Sequence, residues 1–202
     1  MDGKLVLKAS LITIGSLIVA VLLAFTLWFF IAPRSMATIS QQWGYYDFAL
    51  TCANTQYKNS KKTDDLAFCA ELSIYLADDD LIIKYCEPLM DKDDFDALCN
   101  QKDEEISKTQ YGVYASNYRS YILGNLAVSQ YRTGNLQKAV STAEKGISST
   151  DDPEVMQEYL KRLILEVVLH GTEEDKRNLQ TYPTQQEVRE YIFNMIELLT
   201  QQ

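Results

Sequence analysis

Between Leu11 and Ala32 the chain carries 22 residues without a charge, LITIGSLIVAVLLAFTLWFFIA. At a helical rise of 1.5 Å per residue, about 20 such residues cross the hydrocarbon core of a bilayer. The segment is apolar on every side, whereas a core helix of a domain this small would keep a polar face toward water. It is therefore expected to span a membrane. Trp28, Phe29 and Phe30 lie near its end, where aromatic rings settle at headgroup level, and Pro33 with Arg34 then stops the pattern. Lys4, Lys8 and the terminal amine precede the span while only Arg34 comes closely after it, so the positive-inside bias keeps the N-terminus in the cytoplasm. Ser35 and Ala37 leave an alternative open, cleavage by a signal peptidase. The apolar run is far longer than the roughly 7–15 residues of a usual signal core, which favours retention as an anchor.

The expected organisation is a short cytoplasmic N-terminus over 1–10, a transmembrane helix over 11–32, a linker over 33–38 and an extracytoplasmic helical domain over 39–202. That last part is long enough to bury a core of its own. Of the net charge of −9, the first ten residues contribute +1, leaving −10 for the residues beyond the span. An acidic domain repels phosphate backbones, and only Lys58, Lys61 and Lys62 cluster, so nucleic acid is not expected as a partner. The same charge disfavours broad contact with anionic headgroups, and membrane attachment is assigned to the apolar segment.

All four cysteines, Cys52, Cys69, Cys86 and Cys99, lie beyond the span, an even number suited to an oxidising compartment. Their spacings of 17, 17 and 13 contain no CxxC turn, and the chain has one histidine, so a metal site is not expected. Helices are predicted over 39–57, 64–77, 79–90 and 94–101, with Thr63 as an N-cap ahead of Asp64 and Asp65. Cys52 and Cys69 then stand equidistant from the turn at Asn59 to Lys62, and Cys86 and Cys99 straddle the turn at Asp91 to Asp94. Equal distances from the turn of a hairpin favour these two disulfides. Cys69 and Cys86 are also symmetric about the turn at Asp78 to Asp80, which leaves Cys52–Cys99 as an outer bridge, and buried thiols are a third reading.

Residues 123–147 read LGNLAVSQYRTGNLQKAVSTAEKGI, two amphipathic helices meeting at Gly134. Leu123 and Leu126 supply large apolar residues, Ala127 and Ala139 small ones, and Gly134 the turn. In that order and spacing they resemble the tetratricopeptide repeat (TPR), a helix-turn-helix unit of about 34 residues. Departures are Ala143 where a large aromatic is usual, Gly146 where alanine is usual, and Pro153 two residues late. The resemblance covers one repeat, about a sixth of the chain. It implies close helix packing at the alanines, a positive φ at Gly134, and neighbouring helices covering both open faces. Further helices are predicted over Glu154 to His170, Glu173 to Thr181 and Gln185 to Leu199, with Gly171 as a stop and Thr172 with Asp175 as a capping box. The fold class is thus expected to be all-α, one transmembrane helix followed by a TPR-like helical-hairpin α-solenoid.

Tyr111, Tyr114, Tyr118, Tyr121, Asn125, Val128 and Arg132 recur at spacings of three and four, hence on one helical face. The resemblance implies that the first helix of such a unit lines a concave groove, and tyrosine and arginine are good interface anchors. The other reading packs these tyrosines against the preceding hairpin. Only Asn125 corresponds to the carboxylate clamp of chaperone-binding TPRs, and its basic partners are missing, so capture of a chain terminus is not expected. His170 is the one candidate base, and its place at a helix end suits a structural role. No catalytic constellation, cofactor loop or calcium loop is legible.

The expectation for function is a scaffold or assembly factor without catalysis, an accessory subunit of an envelope complex. It would sit in a bacterial inner membrane with the lipid bilayer and other proteins as partners. The alternative is a cleaved, soluble periplasmic or secreted TPR-like binding protein.

Overall fold

The computed structural model describes residues 3–107, 117–147 and 153–200. Among these the chain is all-α, with eleven helices and no strand. It divides into two compact units, Met1–Lys61 and Lys62–Gln202.

The first unit opens with α1 (Gly3–Ile31), whose residues Ser10–Ile31 form the one described helix long and apolar enough to cross a membrane. Ala32 precedes a proline, which disfavours helical backbone, and α1 ends there. Pro33 then takes the first position of α2 (Pro33–Gln42), where its missing N–H costs nothing. α2 packs on α3 (Tyr46–Ser60) as a helical hairpin, with Met36, Ala37, Ala49, Cys52 and Ala53 buried. The single helix expected over 39–57 is broken here. Gly44 adopts φ +80°, its N–H donates to Gln41 and that of Tyr45 to Ser40, a left-handed helix stop that a residue with a Cβ would enter only under strain.

In the second unit, α4 (Thr63–Leu76), α5 (Asp79–Met90), α6 (Phe95–Ser107), α7 (Tyr118–Arg132), α8 (Leu136–Ile147), α9 (Pro153–His170), α10 (Glu173–Thr181) and α11 (Gln186–Thr200) come in order. The middle of the unit is α7, which packs against α4, α5, α6, α8 and α9. Ile122, Leu123, Leu126 and Ala127 on it are buried, and each large aliphatic side chain so removed from water contributes about 1.5–3 kcal/mol. α11 closes on α9 and α10 through a stripe of Val188, Ile192 and Ile196, as its periodicity predicts.

The helix starts are satisfied by a mixture of local and distant side chains. Asp78 accepts from Leu81 N–H, Asn117 from Ser120 and Asn135 from Lys138, each one turn ahead. Thr172 and Asp175 form the expected capping box of α10. Thr63, expected as an N-cap, is instead the first residue of α4, and its hydroxyl donates to Asp94 Oδ1 at 2.6 Å. The bond to a carboxylate is charge-assisted and ties the start of α4 to the turn before α6. α11 is started by Glu144 of α8, whose carboxylate accepts from Thr184 N–H at 2.6 Å and Gln185 N–H at 3.1 Å.

A candidate protein-binding face around α7

The α7–α8 hairpin turns at Gly134, which takes φ +88°. Gly134 N–H donates to Tyr131 and Asn135 N–H to Gln130, the same stop that Gly44 makes. Ala127 and Ala139 are fully buried where the two helices pack, with Leu123 and Leu126 beside them. These five residues, singled out from the sequence, therefore stand together in one hairpin.

A second connection through this hairpin is polar. Gln130 is 1% exposed, its Nε2 donates to Glu87 Oε1 at 2.9 Å, and its carbonyl accepts from the Thr142 hydroxyl at 2.7 Å. Lys138 of α8 reaches the same Glu87 oxygen at 2.6 Å. One amide thus ties α5, α7 and α8, its nitrogen and its oxygen both bonded, as a buried side chain requires. Burial pushes the Glu87 carboxyl up, but the hydrogen bonds from Lys138 and Gln130 and the Lys138 charge outweigh it and hold the group below its usual range. Sequence reasoning passes over Gln130, although the signal is there. It continues the buried row through Leu123, Leu126 and Ala127 at helical spacing, and a polar residue on an apolar face needs partners.

The tyrosine stripe does not lie in one environment. Tyr111 and Tyr114 fall outside the described residues. Tyr118 is buried, its hydroxyl donates to Glu71 Oε1 at 2.8 Å, and its backbone N–H donates to Asp103 at 2.7 Å. Burial, reinforced by Glu71, pushes its phenol far above the ordinary range. Tyr121 is half-buried, and burial again raises its phenol, with Tyr75 and Glu71 adding to the effect. Asn125 is half-buried and donates from Nδ2 to the Tyr121 carbonyl at 2.6 Å, one turn back on its own helix. Arg132 is exposed, with Nε 2.7 Å from Glu166 of α9 and a terminal nitrogen 3.9 Å from Asp79 of α5. Its hydrogen bond, working against burial, holds the Glu166 carboxyl below the usual range.

The face thus runs outward along α7, from a tyrosine in the core to an arginine at the surface. Gly124 lets α9 come close to it, since a Cβ there would lie 3.3 Å from Arg162 Cδ. Tyr75, at the end of α4, is 60% exposed. Tyr121, Tyr75, Asn125 and Arg132 each keep part of their side chain accessible to solvent. His170 is exposed in the last turn of α9.

All four cysteines are buried, and no disulfide joins them in this structure. Burial pushes the Cys52 thiol up to about 11 and those of Cys86 and Cys99 up to about 12.

Compared with family models, curated proteins and solved structures, the chain matches none.

Proposed function

We propose that the chain is a membrane-anchored scaffold or assembly factor. In this reading α1 holds it in a bacterial inner membrane with the N-terminus in the cytoplasm, and a TPR-like helical domain outside binds other subunits of an envelope complex without catalysis. The observation that carries the reading is the α7–α8 hairpin, with buried alanines, a glycine stop and flanking helices on both sides, in a chain that also has a 22-residue apolar helix. Stacked hairpins of this kind use their surface to hold polypeptides.

Retention of the anchor is supported by the length of the apolar segment, 22 residues against the roughly 7–15 of a usual signal core. An oxidising exterior would favour the Cys52–Cys69 and Cys86–Cys99 bridges expected from the spacing of the cysteines. Non-reducing peptide mapping of protein isolated from membranes tests both.

The test of the scaffold reading has two arms. A reporter active only outside the cytoplasm should work when fused after Gln202, and activity of a cytoplasmic reporter there overturns the orientation. The full chain with Tyr114, Tyr121 and Arg132 changed to alanine should keep its helical signal and cooperative unfolding, at a melting temperature lowered by loss of the Arg132–Glu166 bond, while losing the partners that the unaltered chain carries through purification in mild detergent. Unfolding would return the stripe to the core. Full partner recovery would remove this face from consideration.

A further inference from the structure

α1 does not stand alone at its C-terminal end. The Phe48 ring of α3 stacks on Phe25 with centroids 6.0 Å apart and lies 6.3 Å from Phe29. If α2 simply prolonged the axis of α1, Phe48 would stand roughly 20 Å beyond Phe25, counting 1.5 Å per residue along both helices and back. The measured separations exclude that path. The hairpin of α2 and α3 must instead fold back so that its turn comes alongside the last turns of α1.

That turn is Trp43-Gly44-Tyr45. Trp43 is 72% exposed, Tyr45 64% and Phe48 36%, three exposed aromatic side chains within six positions at and beside the turn. No charged residue occurs over 35–46, between Arg34 and Asp47. Phe25 and Phe29 stand six and two residues before the end of the apolar window at Ile31, about 9 and 3 Å inside it along the axis. Phe48 lies beside both, so the start of α3, three residues from the turn, is level with the last turns of the apolar window, near where hydrocarbon gives way to headgroups. This is the level at which tryptophan and tyrosine are most stable, with rings in the apolar region and polar edges in the wet one. In water the same aromatics would be an unexplained apolar patch beside a helix already too apolar for water.

We propose that the α2–α3 turn is a second membrane contact, with Trp43, Tyr45 and Phe48 seated in the headgroup–hydrocarbon boundary of the leaflet where α1 ends. The inference rests on the reading of α1 as a membrane span. It makes the membrane attachment a helix plus an interfacial wedge, which fixes the tilt and rotation of the first unit in the bilayer.

The chain has two tryptophans, Trp28 in α1 and Trp43 in the turn, so two conservative variants isolate the two contacts. The full chain carrying Trp43→Phe leaves Trp28 as the reporter of the span, and Trp28→Phe leaves Trp43 as the reporter of the turn. Each is reconstituted in phosphatidylcholine vesicles in which the lipid is brominated near the carbonyl end or near the middle of the acyl chain, and aqueous iodide serves as the opposing quencher. The expected result is that both tryptophans lose most of their emission to the shallow bromines and little to iodide. Trp28 quenched by lipid while Trp43 is quenched only by iodide leaves the span standing and overturns the wedge. Trp43 shielded from both quenchers also overturns it, because protein then covers the turn. If neither tryptophan is quenched by brominated lipid, the span reading fails and the wedge fails with it.

Discussion

Changing Gln130 to leucine probes the buried bridge at the centre of the second unit. Leucine fills nearly the same space, so the effect isolates the two hydrogen bonds. The Thr142 hydroxyl, 2% exposed, loses its acceptor at 2.7 Å, and Glu87 loses one donor but keeps Lys138 at 2.6 Å. A buried hydroxyl stranded in this way costs about 1–3 kcal/mol. Rotation of the hydroxyl onto the carbonyl one turn back in its own helix would bring the cost toward the lower end.

The expected destabilisation is about 2 kcal/mol, which for a chain of this length lowers the melting temperature by about 4–8 °C. Thr142→Val alone should cost about 1–2 kcal/mol, because it strands the amide carbonyl instead. The double variant removes both ends of the Gln130–Thr142 bond and should be more stable than the sum of the single effects by about 1 kcal/mol. Thermal unfolding of the full chain in mild detergent, monitored by helical ellipticity, measures all four corners of the cycle. Additivity within about 0.5 kcal/mol would refute the bridge, since independent sites add to that accuracy.

The same packing sets two further outcomes. At Gly171 a Cβ would lie 2.5 Å from the Val167 carbonyl oxygen and 2.6 Å from the Tyr131 hydroxyl, so Gly171→Ala should destabilise by about 1–3 kcal/mol, and an unchanged melting temperature would contradict the approach of α9 and α7. The Glu87 and Glu166 carboxyls are held below their ordinary range by Lys138, Gln130 and Arg132, so they contribute stability that is full above the ordinary glutamate value of about 4.3 and is lost as pH falls through their lowered values. A melting curve taken from neutral to acid pH should therefore fall less steeply for Glu87→Gln than for the unaltered chain, and parallel curves would deny Glu87 its folded-state partners.

Features carried by neighbours in sequence are legible in the sequence itself. The apolar helix is readable because 22 uncharged residues have few other fates, and the capping box at Thr172 and Asp175 because donor and acceptor sit three residues apart. α5 and α10 begin and end where the periodicity puts them. Features that depend on a distant partner are not legible in this way. Thr63 looks like a cap, but it is already the first residue of α4, and its hydroxyl donates to Asp94, 31 positions away. Glu144 looks like a surface acid on α8 until it accepts the N–H groups that open α11. Tyr118 and Arg132 share a helical face by spacing, yet Glu71 draws one into the core while Glu166 and Asp79 hold the other at the surface.

The two glycine stops separate a local signal from its context. Gly44 and Gly134 end their helices with the same pair of hydrogen bonds and nearly the same φ, +80° and +88°. Gly134 is recognisable as a turn because flanking leucines and alanines set two helical periods against each other across it. Gly44 gives no such sign, because Gln41, Gln42 and Trp43 before it and Tyr45 and Tyr46 after it carry no clear period. A lone glycine costs a helix only about 1 kcal/mol, too little to decide the matter from sequence. The packing of α2 on α3 decides it, and the exposed aromatics at their turn are the part of that hairpin whose surroundings the brominated-lipid measurement reads directly.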